Sequence, residues 1–368
     1  MLKVGFIGIG YKNFLPLKAL GYINDEECEI IALSHHSIEV AHDIISKGNL
    51  PASIKYYTKY EEMLSKESLD IVEILLPYKQ RSEAIIKAIS RGVGVISLQN
   101  PLAMNLEEAK MIIKYINKSD SILVPYETSI FNPYMQKVKS LLEEDYIGEL
   151  TSIRIKLSLL GSNWKNEINY WRNQKNQDSI NIYEYPILFA YGSHTLTLAD
   201  WFCKEDIERV FAWNGKSEGF DVPTYIMFKF TQNEKHIVPQ YGNIEIGYIP
   251  NIDKSSTQLN IDEFIEIIGT RGLIRINKCS LIDSEPFNSN ILAPIVIIRD
   301  GKVEVIDNFV KNWETESFIN TTKNCINVAK GTKIPIFSYS KALEILKIIL
   351  AAIKSVEIKS EVNIYKEQ

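Results

Sequence analysis

The chain has 368 residues, more than one ordinary hydrophobic core needs, and this length suits two domains. Its 41 Lys and Arg residues against 46 Asp and Glu give a net charge of -5 without a long basic run, so nucleic acid is not an expected partner. We expect a cytoplasmic protein, because no apolar stretch reaches the ~20 residues of a membrane span and no signal-peptide pattern is present. We also expect reduced thiols and no metal site, because the cysteines lie far apart.

The first residues, LKVGFIGIG, form an apolar run that stops at two glycines before a helical pattern begins. This predicts a strand, a tight turn and a helix. Gly8 and Gly10 fill the first two places of a GxGxxG motif, which lets backbone N–H groups approach a pyrophosphate. Asn13 fills the third place, where a small residue is usual. We predict a dinucleotide over Gly8, Gly10, Tyr11, Lys12 and Asn13; a turn without a ligand is the alternative.

A second buried strand is predicted over residues 28–34 and a helix over residues 38–47, which completes a βαβ unit. In an NAD site an Asp or Glu at the end of this strand, roughly 20 residues beyond the glycines, binds the ribose 2′-OH. Ser34 and His35 stand there instead, and neither repels a 2′-phosphate. We therefore expect NAD(P), with NADP favoured. The alternatives are two exposed histidines in a loop, and no cofactor.

Strands and helices continue to alternate up to residue 125. Helices are predicted over residues 60–64, 82–90 and 106–116, the last capped by Asn105, and strands over residues 69–77, 92–98 and 121–125. This alternation predicts an α/β fold with a parallel sheet covered on both faces, a Rossmann domain over residues 1–124.

Strand signals dominate beyond residue 125, after a helix over residues 133–144. Strands are predicted over residues 151–159, 210–213, 225–230, 243–248, 263–268, 273–277, 295–299 and 302–306, and helices over residues 195–202 and 317–329. We expect an α+β domain over residues 125–340 with a large, mostly antiparallel open sheet. Its uncovered face should join a homo-oligomer, a dimer or a tetramer. A last helix over residues 341–355, in the segment 341–368, should pack at the domain junction.

Six motifs spread over residues 3–355 together resemble those of the Gfo/Idh/MocA oxidoreductases. They are GFIGIG, NPLAMNLEEA, FNP, IGEL, AYGSHTL and IEIIGTRGLI. The resemblance implies a Rossmann domain joined to a C-terminal α/β domain with a large open sheet. It also implies a small-molecule substrate, commonly a sugar or polyol, that lies between the domains beside a nicotinamide ring.

Three stretches depart from the family's pattern. The catalytic lysine of its EKP motif aligns with Asn100, whose amide donates a hydrogen bond but carries no charge. The Asp of its DxGxH motif is Ala190, whereas His194 keeps the histidine. Of its TPN loop only Pro77 matches, and Arg81 stands three residues after the Asn position, where the family has a histidine. A relative without net hydride transfer, either a non-redox enzyme or a binding or scaffold protein, is therefore the alternative.

The resemblance and the residue types together give a candidate site. His194 is expected to act as general acid or base, with Glu127 or Glu184 in place of the missing carboxylate. Asn100 is expected to hold the nicotinamide carboxamide or a substrate hydroxyl; a turn residue before proline is the alternative. Further cofactor contacts are expected from Pro77 and Gln99, and substrate contacts from Tyr126, Trp171, Arg172 and Tyr191.

Overall fold

The computed structural model describes residues 1–10, 14–47, 50–161, 164, 182–217, 219–232, 238–250, 260–279, 294–306 and 313–365. The chain forms two compact units. The first consists of Met1–Asn132 and Trp313–Leu346, and the second of Pro133–Asn312 and Lys347–Gln368. The first unit therefore extends beyond the predicted boundary at residue 124, and it regains a segment near the end of the chain.

The first unit contains a six-stranded parallel sheet. Its strands are β1 (Leu2–Ile7), β2 (Cys28–Ser34), β3 (Lys55–Tyr57), β4 (Ile71–Ile74), β5 (Val95–Gln99) and β6 (Ile122–Tyr126). The connecting helices are α1 (Phe14–Ile23), α2 (Ile38–Lys47), α3 (Tyr60–Lys66), α4 (Tyr78–Ser90) and α5 (Leu106–Ile116). The strand order β3-β2-β1-β4-β5-β6 is the doubly wound order, and the predicted Rossmann fold is confirmed.

The second unit contains a nine-stranded sheet. After α6 (Pro133–Glu143) and β7 (Leu150–Leu160) come α7 (Ser193–Phe202), β8 (Ile207–Asn214), β9 (Thr224–Phe230), β10 (Tyr241–Ile249), β11 (Asn260–Gly269), β12 (Gly272–Cys279), β13 (Ile295–Arg299) and β14 (Lys302–Ile306). The order is β14-β13-β12-β11-β7-β10-β9-β8 and then β15 (Val362–Asn363). Within this sheet only β7 and β10 pair in parallel among the described strands, so the predicted mostly antiparallel sheet is confirmed.

Side chains alternate between the two faces of this sheet. In β9, Ile226 and Phe228 are buried, whereas Tyr225 and Met227 are exposed. This is the period of two that an antiparallel sheet with one covered face produces.

Within the described residues, no helix combines the length and the apolar character that a membrane span needs.

Two helices follow the last long strand, α8 (Trp313–Ala329) and α9 (Tyr339–Ile358). The prediction that α8 belongs to the second domain is wrong, because α8 packs against α1 in the first unit. Gly21 makes this packing possible: a Cβ at Gly21 would lie 2.6 Å from Cβ of Thr322. The Thr322 hydroxyl also donates to the Lys18 carbonyl at 3.1 Å. Helix α9 begins in the first unit and ends in the second.

A buried ion pair lies between α1 and β4. Lys18 Nζ lies 2.8 Å from Glu73 Oε1, and both side chains are fully buried. The same Nζ donates to the Thr321 hydroxyl at 3.1 Å and lies 4.1 Å from the centre of the Tyr126 ring. The Tyr22 hydroxyl donates to Glu73 at 2.6 Å. Burial, and then the charge of Glu73, raises the pKa of Tyr22 well above its usual range.

We predict that Lys18→Met destabilises the first unit by ~3–5 kcal/mol, because it leaves the Glu73 carboxylate buried without its cation. The double variant Lys18→Met/Glu73→Leu should recover most of this loss. Lys110 is the matched control: it forms an exposed pair with Glu107, so Lys110→Met should change the free energy of unfolding by less than ~0.5 kcal/mol. Urea denaturation measures all three variants. Equal losses in Lys18→Met and Lys110→Met would contradict the prediction.

Candidate functional site

The turn after β1 requires both of its glycines. Gly8 and Gly10 have φ angles of 82° and 69°, in the left-handed region. A Cβ at Gly8 would lie 2.7 Å from the Leu75 carbonyl oxygen, and one at Gly10 would lie 2.8 Å from Phe14 Cβ. The Gly8 N–H donates to Ser34 and the Gly10 N–H donates to Leu75, at 2.8 and 2.9 Å. The turn is therefore held against the ends of both neighbouring strands.

The loops after β4, β5 and β6 continue this hydrogen-bonded series. Arg81, in the first turn of α4, donates through Nε to the Leu76 carbonyl at 2.7 Å and through Nη1 to the Gln99 carbonyl at 2.8 Å. The Asn100 N–H donates to the Tyr126 carbonyl at 2.8 Å. We call residues 8–10, 75–77, 99–101 and 126–127 the carboxyl-edge loops. Ligands of open parallel sheets bind at this edge, where the strand order reverses.

Several predicted cofactor contacts lie in these loops. Gly8, Gly10, Pro77, Gln99 and Asn100 all belong to the carboxyl-edge loops, and Asn100 is buried. Three other predicted contacts, Tyr11, Lys12 and Asn13, lie outside the described residues.

The end of β2 carries the predicted ribose site. Ser34 is buried, and its carbonyl accepts from the turn after β1. His35 is half-buried, and its Nδ1 lies 3.0 Å from the Ser37 carbonyl oxygen. The acidic group that follows this loop is Glu39, in the first turn of α2, whose Oε2 accepts from the Ser37 hydroxyl at 2.8 Å. The backbone N–H of Glu39 and then the Ser37 hydroxyl lower the pKa of this exposed carboxyl. Glu39 was not among the predicted site residues.

Tyr126 and Glu127 have roles inside the first unit in place of the predicted ones. The Tyr126 side chain is fully buried beside Lys18, which leaves it no surface for the predicted substrate contact. Burial raises the pKa of Tyr126 well above its usual range. Glu127 is also buried, and its Oε1 accepts from the Ser129 N–H at 3.4 Å, as an N-cap of the short 3-10 helix Thr128–Phe131. This cap argues against the predicted catalytic role of Glu127.

A second polar cluster lies in the second unit, around His194. A π-helical turn, Leu188–Gly192, precedes α7 and places His194 in the first turn of that helix. His194 Nε2 lies 3.2 Å from Glu263 Oε1, and Lys278 Nζ donates to Glu263 Oε2 at 3.1 Å. Glu263 on β11 and Lys278 on β12 are directly opposed in the sheet. We call His194, Glu263 and Lys278 the His–Glu–Lys cluster.

The charges of this cluster keep its central carboxylate ionised. Burial alone would raise the pKa of Glu263, but the charge of Lys278 and the hydrogen bond with His194 together lower it to about 2. The Glu263 side chain is 1% exposed, whereas that of His194 is 21% exposed. The imidazole is thus partly open to solvent, while its Nε2 contacts a buried carboxylate. This arrangement is suited to acid–base chemistry.

The carboxylate beside His194 corrects the prediction for Glu184. Glu184 is exposed, and its Oε2 lies 3.9 Å from Lys216 Nζ. Glu263 was not among the predicted site residues, although the strand pattern contains a signal for it. In the strand IDEFIEIIG, Glu263 has the same parity as the buried Ile265 and Ile267, so the pattern places a charge on the covered face.

Two residues predicted to contact substrate, Trp171 and Arg172, lie outside the described residues. A third, Tyr191, lies in the π-helical turn and is half-buried. Its ring centre lies 5.0 Å from that of Trp164 in an edge-on arrangement. Tyr191 precedes His194 by three residues in the chain. Its contact with substrate stays a prediction.

Two family descriptions match most of the chain between them. The oxidoreductase family with an NAD-binding Rossmann fold matches residues 2–126, and the Gfo/Idh/MocA C-terminal domain matches residues 135–275. Among characterised sequences, the chain is 20% identical over 292 residues to trans-1,2-dihydrobenzene-1,2-diol dehydrogenase of Xenopus tropicalis, which covers 78% of this chain and 76% of the relative. It is 25% identical over 156 residues to a glycosyl hydrolase family 109 protein of a Shewanella species, which covers 41% of this chain and 33% of that protein.

Solved structures of the same fold cover nearly the whole chain. An oxidoreductase from Agrobacterium radiobacter in complex with NAD+, L-tartaric acid and magnesium has a TM-score of 0.77 at 16% identity, covering 99% of this chain and 98% of that one. Scyllo-inositol dehydrogenase from Lactobacillus casei with bound NAD(H) and scyllo-inositol has a TM-score of 0.73 at 13% identity, covering 99% of both chains. At these identities the likeness establishes the fold alone.

The low pKa of Glu263 predicts a specific dependence of stability on pH. Its pKa of about 2 lies below the ordinary 4.5, so the carboxylate stabilises the fold above pH 4.5 and this contribution is lost as the pH falls towards 2. The native chain should therefore be more stable than Glu263→Gln at pH 7, and the difference between their free energies of unfolding should be smaller by about 2 kcal/mol at pH 3. Urea denaturation at both pH values measures the gap.

An exposed glutamate provides the control. Glu361 lies 3.6 Å from Arg209, and its side chain is 51% exposed. The difference in free energy of unfolding between the native chain and Glu361→Gln should therefore be the same at pH 7 and pH 3. A gap between the native chain and Glu263→Gln that stays constant from pH 7 to pH 3 would contradict the assignment of Glu263.

Proposed function

The chain belongs to the Gfo/Idh/MocA oxidoreductase family, and from this premise we propose that it is an NAD(P)-dependent oxidoreductase that acts on a hydroxyl or carbonyl group of a small, sugar-like molecule. The observation that carries the proposal is the series of carboxyl-edge loops, in which the glycine turn is bonded to the loop after β4. Relatives that are dehydrogenases of a dihydrodiol and of an inositol support a substrate with neighbouring hydroxyl groups. A cytoplasmic setting stays a prediction.

The described residues fit a dinucleotide. Gly8 and Gly10 lie in a strand-to-helix turn, where backbone N–H groups are suited to bind a pyrophosphate. Ser34 and His35 would lie at the ribose end, and Asn100 at the nicotinamide end. The dinucleotide supplies the hydride chemistry, and the chain binds, orients and shields it.

The end of β2 supports a preference for NADP. Ser34 and His35 offer a hydroxyl and an imidazole where an NAD site has a carboxylate, so a 2′-phosphate meets no direct repulsion from the strand end. Glu39 opposes this preference, since its carboxylate keeps its negative charge while it accepts from the Ser37 hydroxyl. We propose that NADP binds at least as tightly as NAD.

His194 is the acid–base group of the proposal. Its imidazole takes the proton from a substrate hydroxyl during oxidation and returns it during reduction. Glu263 fixes the orientation of the ring, and Lys278 keeps Glu263 ionised. Asn100 contributes a hydrogen bond from its amide and no charge.

The second candidate function is a family member without net hydride transfer, a non-redox enzyme or a binding protein. Two points support it: the resemblance aligns Asn100 with the family's lysine, and several relatives are named glycosyl hydrolases. Both candidates share the dinucleotide turn, and binding of a dinucleotide alone does not distinguish them. Only net hydride transfer leads to the accumulation of reduced dinucleotide.

Titration calorimetry with NADP and NAD, followed by turnover assays, tests the proposal. NADP should bind at least as tightly as NAD, and a panel of diols and polyols should yield reduced dinucleotide. His194→Ala should lower turnover by ~100- to 10,000-fold with dinucleotide affinity unchanged, because it removes only the proton acceptor. Tighter binding of NAD would refute the preference, and binding of neither would refute the oxidoreductase. Dinucleotide binding without turnover on any substrate would favour the second candidate.

We also propose that the protein forms a homo-oligomer, a dimer or a tetramer, through the outer face of the nine-stranded sheet. On that face Trp213, Tyr225, Met227 and Tyr241 are 54%, 42%, 51% and 50% exposed. They come from the adjacent strands β8, β9 and β10, and Trp213 is directly opposite Tyr225. Large exposed apolar side chains on neighbouring strands are typical of a surface that another chain covers.

Light scattering measures the oligomeric state at micromolar concentration. The native chain should have the mass of a dimer or a tetramer, and Trp213→Arg should shift it towards the monomer, because a charge would be buried at the interface. A native chain with the mass of a monomer would rule the proposal out.

A further inference from the structure

Arg81 is a buried cation whose guanidinium donates to backbone carbonyls of two neighbouring loops. It is 7% exposed. Besides its bonds to Leu76 and Gln99, its Nη1 lies 3.5 Å from the Pro101 carbonyl oxygen. Its guanidinium carbon lies 4.0 Å from the centre of the Tyr78 ring. No carboxylate of the described residues pairs with it, whereas buried Lys18 has Glu73 as its counterion.

A buried charge without a counterion is costly, so its presence needs a reason. The carbonyls that Nη1 contacts belong to the residues on either side of Asn100. A permanent positive charge is therefore fixed next to the turn that carries Asn100. A guanidinium stays protonated at any pH at which the protein is folded, so this charge does not titrate.

We propose that Arg81 is the fixed positive charge of the carboxyl-edge loops and the positioning residue of the Asn100 turn, and that it favours the uncharged reduced nicotinamide over the cationic oxidised one. This inference rests on the proposed function. A cation at the edge repels a ring that carries a positive charge and leaves a neutral ring unaffected. Two unit charges ~8 to 10 Å apart at an effective dielectric constant of ~20 to 40 change an affinity by roughly tenfold, and we take this as the size of the expected effect.

The measured quantity is the ratio of two dissociation constants, that of oxidised NADP over that of reduced NADPH, obtained by calorimetry on the full chain. Arg81→Gln removes the charge and should lower the ratio by roughly tenfold. Arg81→Lys keeps the charge and should leave the ratio within about twofold at pH 7. The control is Arg91→Gln: Arg91 is the exposed C-cap of the same helix, so its loss should leave the ratio unchanged.

A loss of structure at the loops would weaken both forms together and would not move this ratio. An unchanged ratio in Arg81→Gln, with both forms still bound, would overturn the inference and leave the proposed function intact. Failure of the native chain to bind either form would overturn the proposed function and this inference with it.

Arg81→Lys supplies the test if Arg81→Gln does not fold. A buried ammonium loses its proton at a lower pH than an exposed one, so the ratio should fall between pH ~7 and ~9.5 in Arg81→Lys and stay constant in the native chain. A ratio that stays constant with pH in both proteins would overturn the inference.

Discussion

The arrangement of the first unit depends on the close approach of the glycine turn to the loop after β4. The Gly10 N–H and the Leu75 carbonyl form a direct hydrogen bond, and a side chain at Gly8 would collide with the same carbonyl. Because Leu76 is the next residue, this contact also fixes the carbonyl that Arg81 binds. The loop after β5 is then held through Arg81, and the end of β6 through the Asn100 N–H. One constraint on backbone approach therefore aligns four loops at the edge where such sheets bind ligands.

The charges that the family pattern would place at Asn100 and Ala190 are absent, and the chain carries buried charges elsewhere. In the first unit Arg81 provides a buried cation that cannot exchange a proton. In the second unit Glu263 provides a carboxylate for His194, and Lys278 balances its charge. In our account the proton is handled in the second unit, whereas the fixed positive field belongs to the first.

Local sequence signals predicted the regular elements well. Strand β2 and helix α5 have the predicted bounds, and the Asn105 side chain accepts from the Glu108 N–H as the predicted cap. Strands β3 and β15 were missed, since runs of three and two residues are too short to show a period. The place of α8 and the partner of His194 could not be read locally, because both depend on contacts between residues far apart in the chain. Gly21 against Thr322 and His194 against Glu263 are such contacts.

The central claim is that the carboxyl-edge loops bind a dinucleotide whose nicotinamide lies beside Asn100. A structure of the native chain, determined from crystals grown with saturating NADP, tests this claim most directly. Our account predicts the pyrophosphate within hydrogen-bonding distance of backbone N–H groups of the turn at Gly8 and Gly10, with the nicotinamide ring against the Asn100 turn. A dinucleotide bound away from this turn, or none bound at a saturating concentration, would contradict it.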